Sequence, residues 1–280
     1  MSARLLEGRP VADSIWHDVE QRSAAFDLRF GRKPRLGLVS AADSGAAAAY
    51  ARQIDRQFGR RGLLVTPRSV SSAEVFETLR ELSRDAEVDG IVLLTPLPEG
   101  VDADAAVHAI DPTKDVDGQH PANLGRLAQR RGAFASATAL GGLQLLLHYE
   151  IPLRGARAVV VGRSPVVGMP LALLLIDADA TVTVCHTRTL DLERLTREAD
   201  ILCVAAGRQG FIGPRHVKPG GIVLDFGTHA GADGSLLGDV QTDAVRETAG
   251  AITPVPGGTG PITVSVLAQQ TLLAAELRRR

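Results

Sequence analysis

The stretch RAVVVGRSPVVGMP, residues 157–170, decides the fold of this chain. Its apolar run Ala158–Val161 leads into a glycine turn at Gly162, and a second apolar run follows Pro170. This order predicts a buried strand, a tight turn and the start of a helix. Gly162 lets the backbone turn and approach a ligand closely, and Gly168 permits close packing near the helix start.

The same turn is a candidate nucleotide site. Backbone N–H groups at a helix N-terminus favour an anion such as a pyrophosphate. The stretch is not the usual G-x-G-x-x-G fingerprint, because Ser164 stands where the second glycine would be. The motif alone therefore leaves two interpretations open, a dinucleotide site and an ordinary strand-to-helix turn.

Apolar runs repeat along the whole chain with helical segments between them. The first half has such runs at 35–39, 63–65 and 90–94, and the second half at 158–161, 181–185, 200–204 and 221–225. Helices are predicted from near Pro10, over about 46–61, after a cap at Ser71-Ser72, from Leu143 after a loop at 134–142, and from about Thr263. The alternation predicts an α/β fold with parallel sheets.

Composition excludes several classes of protein. A chain of 280 residues suits one large or two medium domains, and a net charge of -1 argues against a chain built for nucleic acid or anionic membranes. We find no apolar run long enough to cross a membrane and no apolar leader near the start, so we expect a cytoplasmic protein. Cys185 and Cys203 lie in strand-like runs, and the histidines lack metal-ligand spacing, so no metal is expected.

Six motifs in order resemble one family. They are KDVDG at 114–118, HPANLG at 120–125, VVVGRSPVVGMP at 159–170, CHTRT at 185–189, GDV at 238–240 and TPVPGGTGPIT at 253–263. Together they resemble the methylenetetrahydrofolate dehydrogenase/cyclohydrolase family over essentially the whole chain. The resemblance implies two α/β domains with a cleft between them: a folate-binding, catalytic domain (residues 1–138 plus 263–280) and a Rossmann-like NADP-binding domain (residues 139–262). It also implies a homodimer that pairs through the cofactor domains.

The resemblance implies a set of cofactor-binding residues. Arg163 and Ser164 match the positions that contact the 2′-phosphate of NADP, which an arginine fork suits. Thr187 stands where the family often has serine. The alternative is that Arg163 is an ordinary surface arginine exposed to solvent. The remaining expected cofactor residues are Gly162, Val167, Gly168, Pro170, Ala206, Gly207 and Thr228.

A second set of residues is expected to bind a tetrahydrofolate-type substrate and to act in catalysis. Asp117 matches the acid that bonds to the pterin's amino and ring nitrogens; its alternative role is to cap the turn at Gly118. Tyr50 matches the tyrosine that stacks on the folate, and Thr138 is a retained residue of a loop in the cleft. Pro256, Gly257 and Gly258 belong to the loop that closes over folate and nicotinamide.

The chain departs from the family where the family's acid/base chemistry resides. The family's helix carries Ser-x-x-Tyr-x-x-x-Lys, and here Ala47 and Ile54 occupy the serine and lysine positions around Tyr50. Leu94, which is also an expected substrate-binding residue, stands in place of the glutamine that bonds to that lysine. Gln119 replaces an apolar residue, and two loop prolines are missing at 136–141. Isoleucine has no proton to transfer and carries no charge.

These differences predict an NADP-dependent methylenetetrahydrofolate dehydrogenase whose cyclohydrolase activity is absent or weak. Hydride transfer needs mainly positioning and an acceptor, whereas hydrolysis of the methenyl cation needs activated water. Two alternatives stay open: a relative remodelled for another folate-linked reaction, and a catalytically silent binder of folate or NADP.

Overall fold

The computed structural model describes residues 2–41, 45–231 and 233–279, which divide into two compact units. Unit 1 comprises Met1–Ala12 and Thr138–Thr263, and unit 2 comprises Asp13–Ala137 and Val264–Arg280. Three helices contribute residues to both units: α1 (Gly8–Phe30), α6 (Ala137–His148) and α10 (Gly260–Leu277). None of the helices in the described part of the chain is long and apolar enough to cross a membrane.

Unit 2 is built on a parallel sheet of three strands in the order β3-β2-β4. The strands are β2 (Arg35–Ser40), β3 (Leu64–Ser69) and β4 (Gly90–Leu93), and Leu36 pairs with Val65 on one side and Gly90 on the other. The helices wholly within this unit are α2 (Gly45–Gly59), α3 (Val75–Arg84), α4 (Ala103–His108) and α5 (Pro121–Ala128). Side chains of α3 pack with those of β2 and β4 in a buried apolar cluster.

Unit 1 is built on a six-stranded parallel sheet in the order β1-β11-β8-β7-β5-β6. The strands are β1 (Arg4–Leu5), β5 (Arg157–Val161), β6 (Thr181–Cys185), β7 (Ile201–Val204), β8 (Ile222–Asp225) and β11 (Ala251–Ile252). Helices α7 (Gly168–Asp177), α8 (Leu192–Arg197) and α9 (Thr242–Val245), a 3₁₀ turn (Pro214–His216) and an antiparallel pair of β9 (His229–Ala230) with β10 (Leu236–Leu237) complete the unit. The chain leaves β5 for β6 on one side and returns to β7 on the other. The carboxyl ends of β5 and β7 thus form the switch point where ligands bind in such sheets.

The predicted α/β class is confirmed, and two local predictions are corrected. Ser71 does not cap α3, because its N–H and hydroxyl both donate to the Glu74 carboxylate (2.9 and 2.6 Å). Helix α6 begins at Ala137, so most of the segment predicted as a loop at 134–142 is helical. The short strand β1 was not predicted. Because β1 pairs with β11, residues 1–12 group with 138–263 in unit 1, and the bounds of the folate and NADP domains stay a prediction.

Candidate functional site

The turn after β5 is held by close backbone packing. Gly162 has a φ of 126°, and its N–H donates to the carbonyl of Cys185 at 2.8 Å. A Cβ atom on Gly162 would overlap the carbonyl of Ala205, and one on Gly168 would overlap the carbonyl of Gly162. Both glycines are therefore required by the geometry of this turn, which packs against the ends of the two neighbouring strands.

Ser164 caps helix α7. Its Oγ accepts hydrogen bonds from the N–H groups of Val167 (3.1 Å) and Gly168 (3.4 Å), which have no partner within the helix. The hydroxyl hydrogen remains available for donation to another group. A contact between Ser164 and a 2′-phosphate stays a prediction, and the capping role is a finding that the sequence analysis missed.

A cavity of about 500 Å³ opens at the carboxyl ends of β5, β6 and β7. Five of the predicted cofactor residues line it together: Gly162, Arg163, Ser164, Thr187 and Ala206. The other lining residues are Val161, His186, Thr189, Leu192, Ala205, Arg208 and Phe211, and the lining contains no carboxylate. Arg163 is exposed. The cavity thus combines polar and cationic groups with an apolar wall, as an adenosine phosphate requires.

The other predicted cofactor residues lie outside this lining. Val167, Gly168 and Pro170 form the start of α7, Gly207 follows Ala206 in the loop after β7, and Thr228 follows β8. Their contact with a cofactor stays a prediction.

Asp239 organises the loop after β7 and was not singled out by the sequence. Its carboxylate accepts hydrogen bonds from the N–H groups of Ala206 (2.6 Å), Gly207 (2.9 Å) and Arg208 (2.8 Å). A further hydrogen bond of 2.7 Å joins it to Nε2 of His229. Asp239 is fully buried, so these bonds fix the backbone that forms one side of the cavity. The GDV motif was its only sequence signal.

The glycine–proline loop at 253–261 is held within unit 1 at two points. The N–H of Gly8 donates to the carbonyl of Gly257 at 2.8 Å, and a Cβ atom on Gly8 would overlap the carbonyl of Gly258. The hydroxyl of Thr259 donates to the backbone carbonyl of Asp225 at 3.2 Å. Burial raises the pKa of the Asp225 carboxyl to about 6. The start of α1 therefore positions Gly257 and Gly258, a link that the sequence analysis did not reveal.

Asp117 lies in unit 2 in a polar loop. Its carboxylate accepts hydrogen bonds from the N–H of Ala137 and from the side-chain amide of Gln119, each at 3.1 Å. Burial and the charge of Asp115 raise the pKa of Asp117 to about 6 against the effect of these bonds. Gly118 has a φ of 60° and contacts the backbone of Ala135, so the turn there depends on the glycine itself.

We expect helix α2 to be the catalytic helix of the resemblance, with Ile54 at the position of its lysine. Tyr50 is half-buried, and burial together with the charge of Asp117 raises the pKa of its hydroxyl, which therefore stays protonated. Ile54, one turn further along, is fully buried, and Leu94 is 5% exposed. Both positions are filled by buried apolar side chains. Thr138 lies half-buried in the first turn of α6 rather than in a loop.

Two family models match the chain in succession. The catalytic domain of tetrahydrofolate dehydrogenase/cyclohydrolase matches residues 6–117, and the NAD(P)-binding domain of the same family matches residues 136–279. The bifunctional protein FolD of Chloroflexus aggregans is 47% identical over 282 residues, with 99% of each chain covered.

Solved structures of similar proteins cover the same length. The bifunctional FolD methylenetetrahydrofolate dehydrogenase/cyclohydrolase of Campylobacter jejuni superposes with a TM-score of 0.95 at 34% identity, covering 99% of this chain and 100% of the other. The FolD enzyme of Trypanosoma brucei, solved with NADP cofactor and inhibitor, gives 0.94 at 32% identity, covering 100% and 99%.

Proposed function

This chain belongs to the tetrahydrofolate dehydrogenase/cyclohydrolase family, and on that basis we propose that it is an NADP-dependent methylenetetrahydrofolate dehydrogenase. The observation that carries the proposal is the cavity at the ends of β5, β6 and β7, which gathers five expected cofactor residues. NADP, when bound, would accept the hydride. Binding and orientation by the protein are the main requirements of that reaction.

Charge at the end of β6 supports NADP over NAD. Enzymes that bind NAD commonly place an acid there to bond with the ribose hydroxyls. Here β6 is followed by His186, Thr187 and Arg188, and the cavity is lined by His186 and Thr187 together with Arg163. A guanidinium binds a phosphate through two charge-assisted hydrogen bonds. In unit 2, Tyr50 and the Asp117 carboxylate are the groups that we expect to hold the folate.

We propose that cyclohydrolase activity is absent or weak, although the FolD relatives of Chloroflexus aggregans and Campylobacter jejuni are named as bifunctional. Attack by water on a methenyl cation needs a group that moves a proton. Ile54 and Leu94 provide none, and Tyr50 stays protonated because its pKa is raised.

Two absorbance measurements test these activities separately. Formation of methenyltetrahydrofolate from methylenetetrahydrofolate and NADP reports the dehydrogenase, and decay of added methenyltetrahydrofolate without NADP reports the cyclohydrolase. We expect the first and not the second. Comparable rates for both would refute the cyclohydrolase proposal, and no methenyl formation would refute the dehydrogenase.

One observation favours a second candidate, a relative adapted to another folate-linked reaction. Gln119 donates to one oxygen of the Asp117 carboxylate and the N–H of Ala137 donates to the other, so each oxygen of the expected pterin-binding group already accepts a hydrogen bond. Binding of folate and NADP in thermal-shift titrations without methenyl formation would support this candidate. Binding of both with no turnover of any folate tested would indicate a silent binder instead.

We also propose that two copies pair through unit 1. Strand β6 ends the strand order, with no further strand beside it among the described residues, and α7 nearby in sequence exposes Met169 (36%) and Ile176 (49%). A second copy placed edge to edge would cover both. We expect a dimer by light scattering that Ile176→Glu disrupts and that Leu28→Glu, at a 90% exposed position in unit 2, does not. A monomeric wild-type chain would overturn the proposal of a dimer.

Cytoplasmic residence stays a prediction from the sequence.

A further inference from the structure

The loops that follow β7 and β8 converge on one buried carboxylate, that of Asp239. From the loop after β7, the N–H groups of Ala206, Gly207 and Arg208 donate to it at 2.6, 2.9 and 2.8 Å. From the loop after β8, Nε2 of His229 donates to Oδ1 at 2.7 Å. Asp239 has no exposed surface, so water does not compete with these donors. A single side chain therefore joins two loops that leave different strands of the sheet.

The backbone of the loop after β8 also packs on Asp239. A Cβ atom on Gly227 would overlap the backbone nitrogen and the carboxylate of Asp239. The N–H groups of Gly227 (2.8 Å) and Asp239 (3.1 Å) both donate to Oδ1 of Asp225. The chain from Asp225 to His229 thus folds around Asp239 and meets it at both Gly227 and His229.

Thr228 lies between these two anchored neighbours. Gly227 is buried against Asp239 and His229 is bonded to it, whereas Thr228 itself is exposed. Anchors on both sides restrict the backbone of Thr228 and keep its side chain on the surface. Thr228 is an expected cofactor residue, and the loop after β7 carries two more. The bond from His229 to Asp239 therefore fixes the spacing between two loops that are expected to contact the cofactor.

The imidazole of His229 is suited to hold these loops without reacting. Nε2 carries a hydrogen in one neutral tautomer and in the imidazolium ion, so both forms can donate to the carboxylate. The ring makes no other hydrogen bond with the residues that the structure describes, and its side chain is 23% exposed. His229 is not part of the cavity lining, so its effect on a ligand there must pass through Asp239.

We propose that His229 is a positioning residue for the cofactor: through Asp239 it holds the loops after β7 and β8 at the spacing that NADP requires. This role rests on the proposed function, because Ala206, Gly207 and Thr228 are the expected cofactor contacts. A hydrogen bond to a charged group changes an equilibrium constant by about tenfold or more. We therefore expect the affinity for the cofactor, and not the KM for the folate, to depend on this bond.

Fluorescence titration with NADPH compares the wild-type chain with two variants. His229→Leu removes the donor and should raise the Kd for NADPH about tenfold. His229→Gln keeps an N–H donor near the place of Nε2 and should bind NADPH nearly as well as the wild type. The KM for methylenetetrahydrofolate should stay unchanged in both. Wild-type affinity in His229→Leu, or equally weak binding in His229→Gln, would overturn the proposal.

The ion pair between Lys218 and Asp200 provides a matched control at the other ends of the same strands. Nζ of Lys218 lies 2.6 Å from Oδ1 of Asp200, and the pair joins the segments that precede β7 and β8. Lys218→Met removes this pair and should leave the Kd for NADPH unchanged. An equal loss of affinity in Lys218→Met would assign the effect to general loosening of the sheet and would overturn the positioning role.

Amide hydrogen exchange in the cofactor-free chain gives a readout that depends on neither binding nor turnover. Peptides spanning 205–208 should exchange faster in His229→Leu than in the wild type or in His229→Gln, because the loop loses one of its two attachments. Unchanged exchange would overturn the proposal.

The positioning role and the proposed activity can fail separately. If no methenyltetrahydrofolate forms but His229→Leu still weakens NADPH binding, the dehydrogenase proposal fails while the positioning role stands. If the wild-type chain turns over and His229→Leu binds NADPH as tightly as the wild type, the positioning role alone fails.

Discussion

The turn after β5 and the turn of α2 that carries Tyr50 both match motifs of the family, and the resemblance predicts that only the first keeps its functional residues. In the β5 turn, Gly162 and Gly168 are held by contacts between backbone atoms, so almost any change disturbs the fold. In α2, the position expected for the catalytic lysine depends only on which side chain it carries. Here that side chain is Ile54, which is fully buried. A site made of backbone geometry resists substitution, whereas a site made of side chains can lose its chemistry while the fold persists.

The largest effect is expected from Gly162→Ala. The new methyl group would overlap the Ala205 carbonyl at a φ of 126°, so we expect a loss of about 3 kcal/mol or more in the free energy of unfolding and loss of NADPH binding. Gly155→Ala is the control, because Gly155 also has a positive φ (75°) but open space around it. Gly155→Ala should lower the free energy of unfolding by about 1 kcal/mol. Urea unfolding and NADPH fluorescence titration measure both, and equal losses would refute the packing argument.

The substitution Ile54→Lys tests helix α2, the second of the two regions compared. A charged amine at a fully buried position should lower the free energy of unfolding by about 3 kcal/mol, whereas Gln53→Lys, at the exposed neighbouring position, should change it by less than about 0.5 kcal/mol.

Adding Leu94→Gln to Ile54→Lys supplies an amide partner. We expect this double variant to recover part of the lost stability and to gain measurable hydrolysis of methenyltetrahydrofolate. Recovered stability without any hydrolysis would show that the differences at Gln119 and residues 136–141 also matter.

A third prediction concerns pH and Asp117. In the unfolded chain its carboxyl ionises near 3.8, and burial raises its pKa to about 6 in the native state. The native state therefore binds the proton more tightly, and the contribution of Asp117 to stability grows as the pH falls from 6 to 4. The affinity for folate should change with pH in the opposite direction and weaken as the pH falls, because an acceptor for pterin N–H groups must be ionised.

We accordingly expect the KM for methylenetetrahydrofolate to rise severalfold between pH 7 and pH 5.5. In Asp117→Asn this pH dependence should vanish and the KM should be high throughout. Because Asp225 also has a pKa near 6, NADPH affinity is measured over the same range as the control. A KM that is flat in the wild-type chain contradicts the assignment.

The smallest effect is expected from Ser164→Ala. Loss of the cap on α7 should cost about 1 kcal/mol of unfolding free energy. If capping is its only role, affinities for NADPH and NADH should change equally. Arg163→Gln leaves the cap intact and should weaken NADPH binding alone. A selective loss of NADPH binding in Ser164→Ala would assign the hydroxyl to the 2′-phosphate as well.

Local patterns specified much of this molecule. Apolar runs identified the main strands, and the spacing of Gly162, Ser164 and Gly168 identified the turn, because strands and tight turns depend on residues adjacent in the chain. The predicted loss of the family's lysine and glutamine likewise rests on Ile54 and Leu94 alone. The cap of α3 and the start of α6 were mispredicted, since Ser71 bonds to a side chain and small residues form a helix that the pattern did not indicate.

Tertiary structure decided what depends on residues far apart in the chain. Strand β1 has only two residues and no pattern of its own, and it exists because β11 supplies its hydrogen bonds some 247 positions later. Asp239 positions the backbone of Ala206, Gly207 and Arg208, and a motif of three letters does not show which N–H groups its carboxylate meets.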